Sequence, residues 1–269
     1  MNVITITLKD NIAILTLDRA EKHNAMGNDL WRELPLALHE IAQNPEIRCL
    51  VINANGRHFS AGLDLDEANI NPDGGESNQS TATKNQSLYR RIRYLQAGIT
   101  ELSKVAIPTI AAVHGACIGG GVDLIAACDI RLATTDATFS IREAKIAIVA
   151  DLGSLQRLPS IIPKGVLFEL ALSGRDFTAS EALQWGLVNR TTSPEDLLPT
   201  ALELAGEIAT NSPLATRGTK EILNSIYRRH EERDLEWVAL WNTAFLQSDD
   251  LREAFQAFRE RRRPQFRGC

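Results

Sequence analysis

Three acids and two glycine-bearing turns carry the chemistry this sequence offers. Glu143 and Asp151 lie in EAKIAIVADLG (143–153), an otherwise apolar stretch, and carboxylates are rarely buried unless paired or hydrogen-bonded. Asp123 follows a triple glycine in CIGGGVDL, and in SAGLDL the chain leaves a strand through Gly62. Such turns can aim free backbone N–H groups at one point. Either turn alone reads as a tight bend needing positive φ. Two of them, each entering a helix-like segment and accompanied by a set of acids, point to an oxyanion hole.

Other catalytic patterns fail on spacing. The five histidines include no HExxH pair, and no Cys/His cluster has metal-ligand spacing, so no metal site is expected. FSAGL is not a GxSxG elbow, although Ser60 lies near His58. GGGVDL lacks the third glycine of a dinucleotide loop and no acidic residue closes a suitable βαβ unit. His114 and Cys117 read as core and turn residues. Cys49, Cys117, Cys128 and Cys269 form no CxxC pair, which argues against zinc ribbons and disulfide frameworks and for reduced thiols. A net charge of −5 argues against nucleic-acid and membrane-surface partners and leaves a small molecule as the expected ligand. The opening MNVITITLKD is patterned as strand rather than as a leader, and the closing RGC is not a peroxisomal address, so a cytoplasmic protein is expected.

The positioning elements follow from hydropathy pattern. Val3–Leu8 and Ile12–Leu17 alternate around Asp10-Asn11 as a hairpin. Leu30, Leu34, Leu38 and Ile41 recur at helical spacing after a cap at Asn28, with Pro35 weakening the first turns. CLVINA (49–54), TIAAV (109–113) and DIRLAT (129–134) read as buried strands, so an α/β core is expected. The polar stretch from Asp66 to Gln86 reads as a mobile surface loop that orders on ligand binding. Strand signals vanish from about Pro213, and RGTKEILNSIYRRH, DLEWVALWNTAFL and DLREAFQAFRERR are amphipathic helical runs. The expected division is a core over 1–205 and a helical module over 206–269.

Taken together, LDRAEKHNAM, HFSAGLDL, IPTIAAVHGACIGGGVDLIAACDIRLAT, SGRDFTASEALQWGLV, NSPLATRGTKEIL and AFRERRRPQF resemble the enoyl-CoA hydratase/isomerase (crotonase) superfamily nearly end to end. The resemblance implies a spiral of ββα units capped by a C-terminal helical oligomerisation module, assembled as a homotrimer or a dimer of trimers. It also implies an acyl-CoA thioester as substrate, with coenzyme A as part of that substrate and no metal or redox cofactor. The thioester oxygen would be held by the N–H groups of Leu63 and Gly120, with Ala61, Gly62, Leu63, Asp64, Leu65 and Gly120 lining the binding site. Hydratases of the family carry two glutamates twenty positions apart and a glycine eight positions further on. Here Asp123, Glu143 and Asp151 hold those places, which is similar to the Δ3,5-Δ2,4-dienoyl-CoA isomerases of unsaturated fatty-acid β-oxidation.

That similarity implies a 1,5 proton shift in which one acid serves C2 and another C6. Glu143 is expected at C2 and Asp151 at C6, with the reverse orientation open. Burial and mutual repulsion should raise at least one carboxyl pKa. A hydratase, a 3,2-enoyl-CoA isomerase and a non-catalytic acyl-CoA-binding or scaffold protein are the alternatives on the same fold. Each residue also has a plainer role. Asp123 could be a helix-dipole partner or support, Asp151 a turn residue or helix cap, and Glu143 a surface partner of Arg142 or Lys145. Arg259, Arg261, Arg262 and Arg263 read as a solvated helix end that could touch CoA phosphates. Trp237, Trp241 and Phe245 read as subunit or core packing.

Overall fold

The computed structural model describes residues 2–67, 80–228 and 230–268. Strands β1 (Ile4–Lys9) and β2 (Ile12–Leu17) form the expected antiparallel hairpin, with Lys9 opposite Ile12. Asp10 turns the chain at φ 53°, a left-handed conformation that a short polar side chain tolerates. The alternation does not carry through to burial, because every residue of β2 is buried. The reason is that helices cover both faces of the sheet.

Helix α1 (Asn28–Gln43) buries Leu30, Trp31, Leu34, Leu38 and Ile41 on one face. Its cap differs from expectation. Gly27 takes the cap position, and the Asn28 N–H donates to Glu67 Oε2 at 2.9 Å. The helix runs unbroken through Pro35, whose missing N–H leaves the Trp31 carbonyl without its intrahelical donor. The Tyr94 hydroxyl donates to that carbonyl at 3.1 Å. Tyr94 belongs to a later helix, so no local pattern announces the repair.

The chain continues through β3 (Cys49–Ala54), α2 (Thr81–Lys104), β4 (Thr109–Val113), β5 (Ala116–Ile118), α3 (Gly120–Ala126), β6 (Ile130–Thr134) and β7 (Thr138–Ser140). A 3₁₀ turn at Glu143–Ile146 precedes α4 (Ser154–Arg157), α5 (Lys164–Ser173), β8 (Phe177–Thr178), α6 (Ala179–Gln184), β9 (Arg190–Thr192) and α7 (Leu197–Thr210). The long helix α2 begins after Ser80, whose side chain accepts from the Thr83 N–H. Positions 81–86 are therefore helical rather than loop, Asp66 and Glu67 lie in a turn, and positions 68–79 of the expected mobile segment lie outside the described residues.

The larger sheet has the order β1-β2-β3-β4-β6-β9 and is parallel from β2 onward. Leu15, Leu17, Leu50 and Ile52 pack on one face with α1, whereas Ile14, Val51, Ile110 and Leu132 pack on the other with Leu197, Ala201 and Ala205 of α7. The smaller sheet, β5-β7-β8, stands beside it. The segment leaving β3 meets β5 where Ser60 bridges to Cys117. Catalytic turns are commonly built at such strand ends.

Helices α8 (Pro213–Tyr227), α9 (Glu231–Phe245) and α10 (Asp249–Glu260) close the chain, as the amphipathic runs predict. Helix α9 is stitched to the core by Gln96 of α2, whose Nε2 donates to the Leu235 carbonyl at 2.9 Å. On its outer side Trp237, Trp241 and Phe245 are exposed, so this stripe is not core packing.

Tyr94→Phe should lower stability by about 1 kcal/mol by orphaning the Trp31 carbonyl. In a Pro35→Ala background the restored N–H should shrink that loss, and denaturant unfolding of the four proteins measures the coupling. Equal losses in both backgrounds would show that the hydroxyl does not serve the proline.

Candidate active site

The first glycine turn is shaped by Ser60, which is fully buried. Its Oγ donates to the Asn24 carbonyl at 2.8 Å and accepts from the Gly62 N–H at 3.1 Å. The Gly62 carbonyl accepts from Met26 N–H, and the Asp64 N–H donates to Met26. The Leu63 N–H between them donates to no other described residue. Across from it, Gly119 adopts φ 49° and opens α3, so the Gly120 N–H is likewise left without a partner among the described residues. The two turns almost touch. A Cβ on Gly62 would stand 2.8 Å from the Ile118 carbonyl oxygen and 3.6 Å from Gly120 N. Glycine is therefore required at 62 both by its φ of 88° and by space.

The three acids converge beside these turns. Asp123 sits in the first turn of α3 at 1% exposure, its Oδ1 accepting from the Ser154 N–H at 2.5 Å while Oδ2 is buried without a partner. Glu143 opens the 3₁₀ turn and lies so close to the triple glycine that a Cβ on Gly119 would be 3.2 Å from its Oε1. The residue as a whole is half-buried, yet Oε2 is buried and unpartnered. Asp151, also half-buried, accepts at Oδ2 from Asn242 Nδ2 at 2.7 Å. It follows no helix start, since α4 begins at Ser154 after Gly153, so the plain cap reading does not describe it.

Electrostatics follow from this crowding. Burial pushes the Asp123 carboxyl up to about 6, against the downward pull of the Ser154 hydrogen bonds and Arg157. Burial and then the nearby Asp123 charge push Glu143 up to about 8. Asp151 is pushed up by burial to about 7, with the Asn242 amide pulling it down. At neutral pH the cluster thus holds protonated and ionised carboxyls side by side, which suits both giving and taking a proton.

One cavity of about 700 Å³ joins these parts, lined by Gly62, Leu63, Gly120, Glu143 and Asp151 among others. Asp123 does not line it and lies behind the first layer. Ala61, Asp64 and Leu65 reach the cavity too. Asp64 is engaged, because Arg19 Nη1 donates to it at 2.8 Å and its Oδ1 accepts from Asp66 N–H at 3.0 Å. It shapes the turn after Leu63. Among the four C-terminal arginines only Arg262 lines the cavity, alongside Lys22, Arg142 and Lys145. Arg261 turns the chain at φ 54°, and Arg262 pairs with Glu253 at 2.5 Å. No group of three or more His, Cys, Asp or Glu among the described residues could hold a metal ion.

Sequence reasoning misses the residues that support the acids. Arg157 pairs with Glu231, the first residue of α9, at 2.5 Å, and both are nearly buried. Gln96 donates to the Asp151 carbonyl at 2.7 Å and Asn242 to the Val149 carbonyl at 2.8 Å. Polar residues on the inner faces of α2 and α9 were the available signal, but their partners lie 55 and 91 positions away.

Residues 7–269 match the enoyl-CoA hydratase/isomerase family, to which this chain belongs. It is 41% identical over 267 residues to the Arabidopsis thaliana protein named Delta(3,5)-Delta(2,4)-dienoyl-CoA isomerase, peroxisomal, covering 99% of this chain and 96% of that one. It is 44% identical over 258 residues to the mitochondrial protein of that name from Dictyostelium discoideum, covering 95% and 87%. Among solved structures, carnitinyl-CoA hydratase from Mycobacterium avium superposes with a TM-score of 0.86 at 29% identity over the whole of both chains. The expectation of a cytoplasmic protein is corrected by these relatives, which are peroxisomal and mitochondrial. Reduced thiols do not argue for that compartment either. Cys49, Cys117 and Cys128 are free and buried, and burial pushes their thiols up. Thiols so protected are inert in any compartment.

Raised carboxyl pKa values carry a stability cost whose sign is fixed. The folded state binds these protons more tightly than the unfolded chain, so stability falls as pH rises from about 4, the unfolded range, through the folded values. Glu143→Gln mimics the protonated form. It should be on the order of 1–3 kcal/mol more stable than the parent at pH 9, with the gap closing toward pH 4. A gap independent of pH, measured by urea unfolding, would show that Glu143 ionises freely in the folded protein.

Proposed function

We propose that this chain isomerises 3,5-dienoyl-CoA thioesters to their 2,4-dienoyl isomers by a proton shift from C2 to C6. The observation that carries the reading is that Glu143 and Asp151 open into the same cavity as the two unpartnered N–H groups. The names of its relatives support the same reaction.

The chemistry needs each part once. A carboxylate takes the C2 proton, and the C–H electron pair moves into the chain so that charge collects on the thioester oxygen. The Leu63 and Gly120 N–H groups receive that oxyanion, each worth about 3–4 kcal/mol in the transition state. As the charge returns, the double bonds move from C3–C4 and C5–C6 to C2–C3 and C4–C5, and a carboxylic acid protonates C6. Nothing is oxidised or reduced overall, so the balance calls for no redox carrier, and coenzyme A stays on the substrate. Glu143 lies against the Gly119 turn and is assigned to C2. Asp151 is assigned to C6. Asp123, behind them, acts through its charge on both neighbours. The cationic rim of Lys22, Lys145 and Arg262 is suited to the phosphates of coenzyme A.

The segment 206–269 is assigned to oligomerisation, as a homotrimer or a dimer of trimers. Leu214 and Tyr227 of α8 and Trp237 and Phe245 of α9 are each more than half exposed, and such apolar faces mark interfaces.

Asp151→Asn keeps the side chain's shape but cannot exchange a proton, so diene conjugation, followed by ultraviolet absorbance, should slow by roughly two to four orders of magnitude. Exchange of the C2 proton with deuterated water should survive in Asp151→Asn and vanish in Glu143→Gln. Parental isomerisation by Asp151→Asn would remove the isomerase reading and favour a hydratase.

A further inference from the structure

The outer acid is held by a neutral residue from a distant helix, and the way it is held selects one of its oxygens. Asn242, on the inner face of α9, is 2% exposed. Its Nδ2 lies 2.8 Å from the Val149 carbonyl and 2.7 Å from Asp151 Oδ2. A backbone carbonyl only accepts, so the amide atom facing Val149 must be the nitrogen, and the side chain cannot be flipped without losing that bond. The same nitrogen then presents its second hydrogen to Oδ2. Gln96 repeats the device on the backbone, because its Nε2 lies between the carbonyls of Asp151 and Leu235 and can only donate to both. The position of residue 151 is thereby tied to α2 and α9 at once.

We propose that Asn242 is a positioning residue that holds Asp151 Oδ2 as an acceptor, so that Asp151 exchanges protons with substrate through Oδ1 in preference to Oδ2. An oxygen that accepts an N–H is favoured as the carbonyl oxygen of the neutral acid, because that oxygen is the better acceptor; the proton is thereby directed to Oδ1, and the carboxyl is aimed as well as titrated. The proposal rests on the acid role given to Asp151 above. Charged surroundings do not supply this hold. Asp123 of α3 is an acid that disfavours ionisation of Asp151, Glu143 of the 3₁₀ turn is a second acid that Asp151 in turn pushes up, Arg157 of α4 acts on Asp123, α2 and α9 present the neutral amides of Gln96 and Asn242, and Arg262 beyond α10 lines the same cavity while paired with Glu253. Asn242 is the one hydrogen-bonding side chain among the described residues that contacts the Asp151 carboxyl.

The test titrates Asp151 directly, by carbon NMR of protein labelled at aspartate Cγ, with the resonance identified by its loss in Asp151→Asn. In Asn242→Leu, which removes the donor while filling the space, Asp151 should titrate at higher pH, with a proton affinity about tenfold greater. Asn242→Asp replaces the donor by an acid and should raise the titration at least as far; it also serves if the leucine variant does not fold. With 3,5-dienoyl-CoA as probe, kcat should fall by roughly ten- to a hundredfold while KM stays within about twofold, and the pH–rate limb should move with the titration. Unchanged titration of Asp151 in the folded variants would overturn the proposal. A parent protein that leaves 3,5-dienoyl-CoA unchanged would instead remove the isomerase reading, and the titration, which needs no substrate, would still decide whether Asn242 holds Asp151.

Discussion

Crowding of Glu143 and Asp151 in one cavity wall, with Asp123 buried directly behind them, is the constraint on which the rest of the site depends. Carboxylates taken from water must find partners or protons. Here two buried oxygens, Asp123 Oδ2 and Glu143 Oε2, have no partner among the described residues, so protons take that role, and all three groups are pushed into the range 6 to 8. On the proposed mechanism, the energetic penalty at neutral pH is the same property that lets the cluster both take and give a proton. A well-paired set of ionised acids would be more stable and could not return a proton to carbon.

Holding such a cluster in place requires neutral donors and a remote counter-charge, and the fold supplies them from its C-terminal helices. Arg157 stands behind Asp123 close enough to draw its pKa down, and its own partner is Glu231 of α9. Asn242 of that helix reaches Asp151, while α10 and the chain after it contribute Ala254, Phe258 and Arg262 to the cavity wall. The helical segment is therefore part of the site as well as a surface with exposed aromatic residues. Anything that shifts α9 moves the outer acid and the counter-charge together.

Legibility of these features in the sequence tracks the distance between partners. The hairpin around Asp10, the two glycine turns and the three acids all reside in short contiguous motifs, and the structure brings the turns and acids together around one cavity. The division of labour was less legible, since spacing does not distinguish the cavity-lining Glu143 and Asp151 from Asp123 behind them. Asn242, Gln96 and the Arg157–Glu231 pair could not be read at all, because a polar residue on a helix face gains its meaning only from a partner 55 or more residues away. The passage of α1 through Pro35 is of the same kind, depending on Tyr94. Compartment is not legible in the sequence: the expectation of a cytoplasmic protein rests on the patterns of short terminal stretches, and the relatives overturn it.

On the proposed mechanism, the cavity moves a proton along an acyl chain rather than adding water across it. The most direct measurement compares the purified protein on 3,5-dienoyl-CoA, scored by appearance of the conjugated 2,4-diene, with the same preparation on a 2-enoyl-CoA, scored by hydration. The account predicts that kcat/KM for isomerisation exceeds that for hydration by at least about two orders of magnitude, the worth of one well-placed acid or base. Hydration as fast as isomerisation, or no conjugated diene at all, would contradict it.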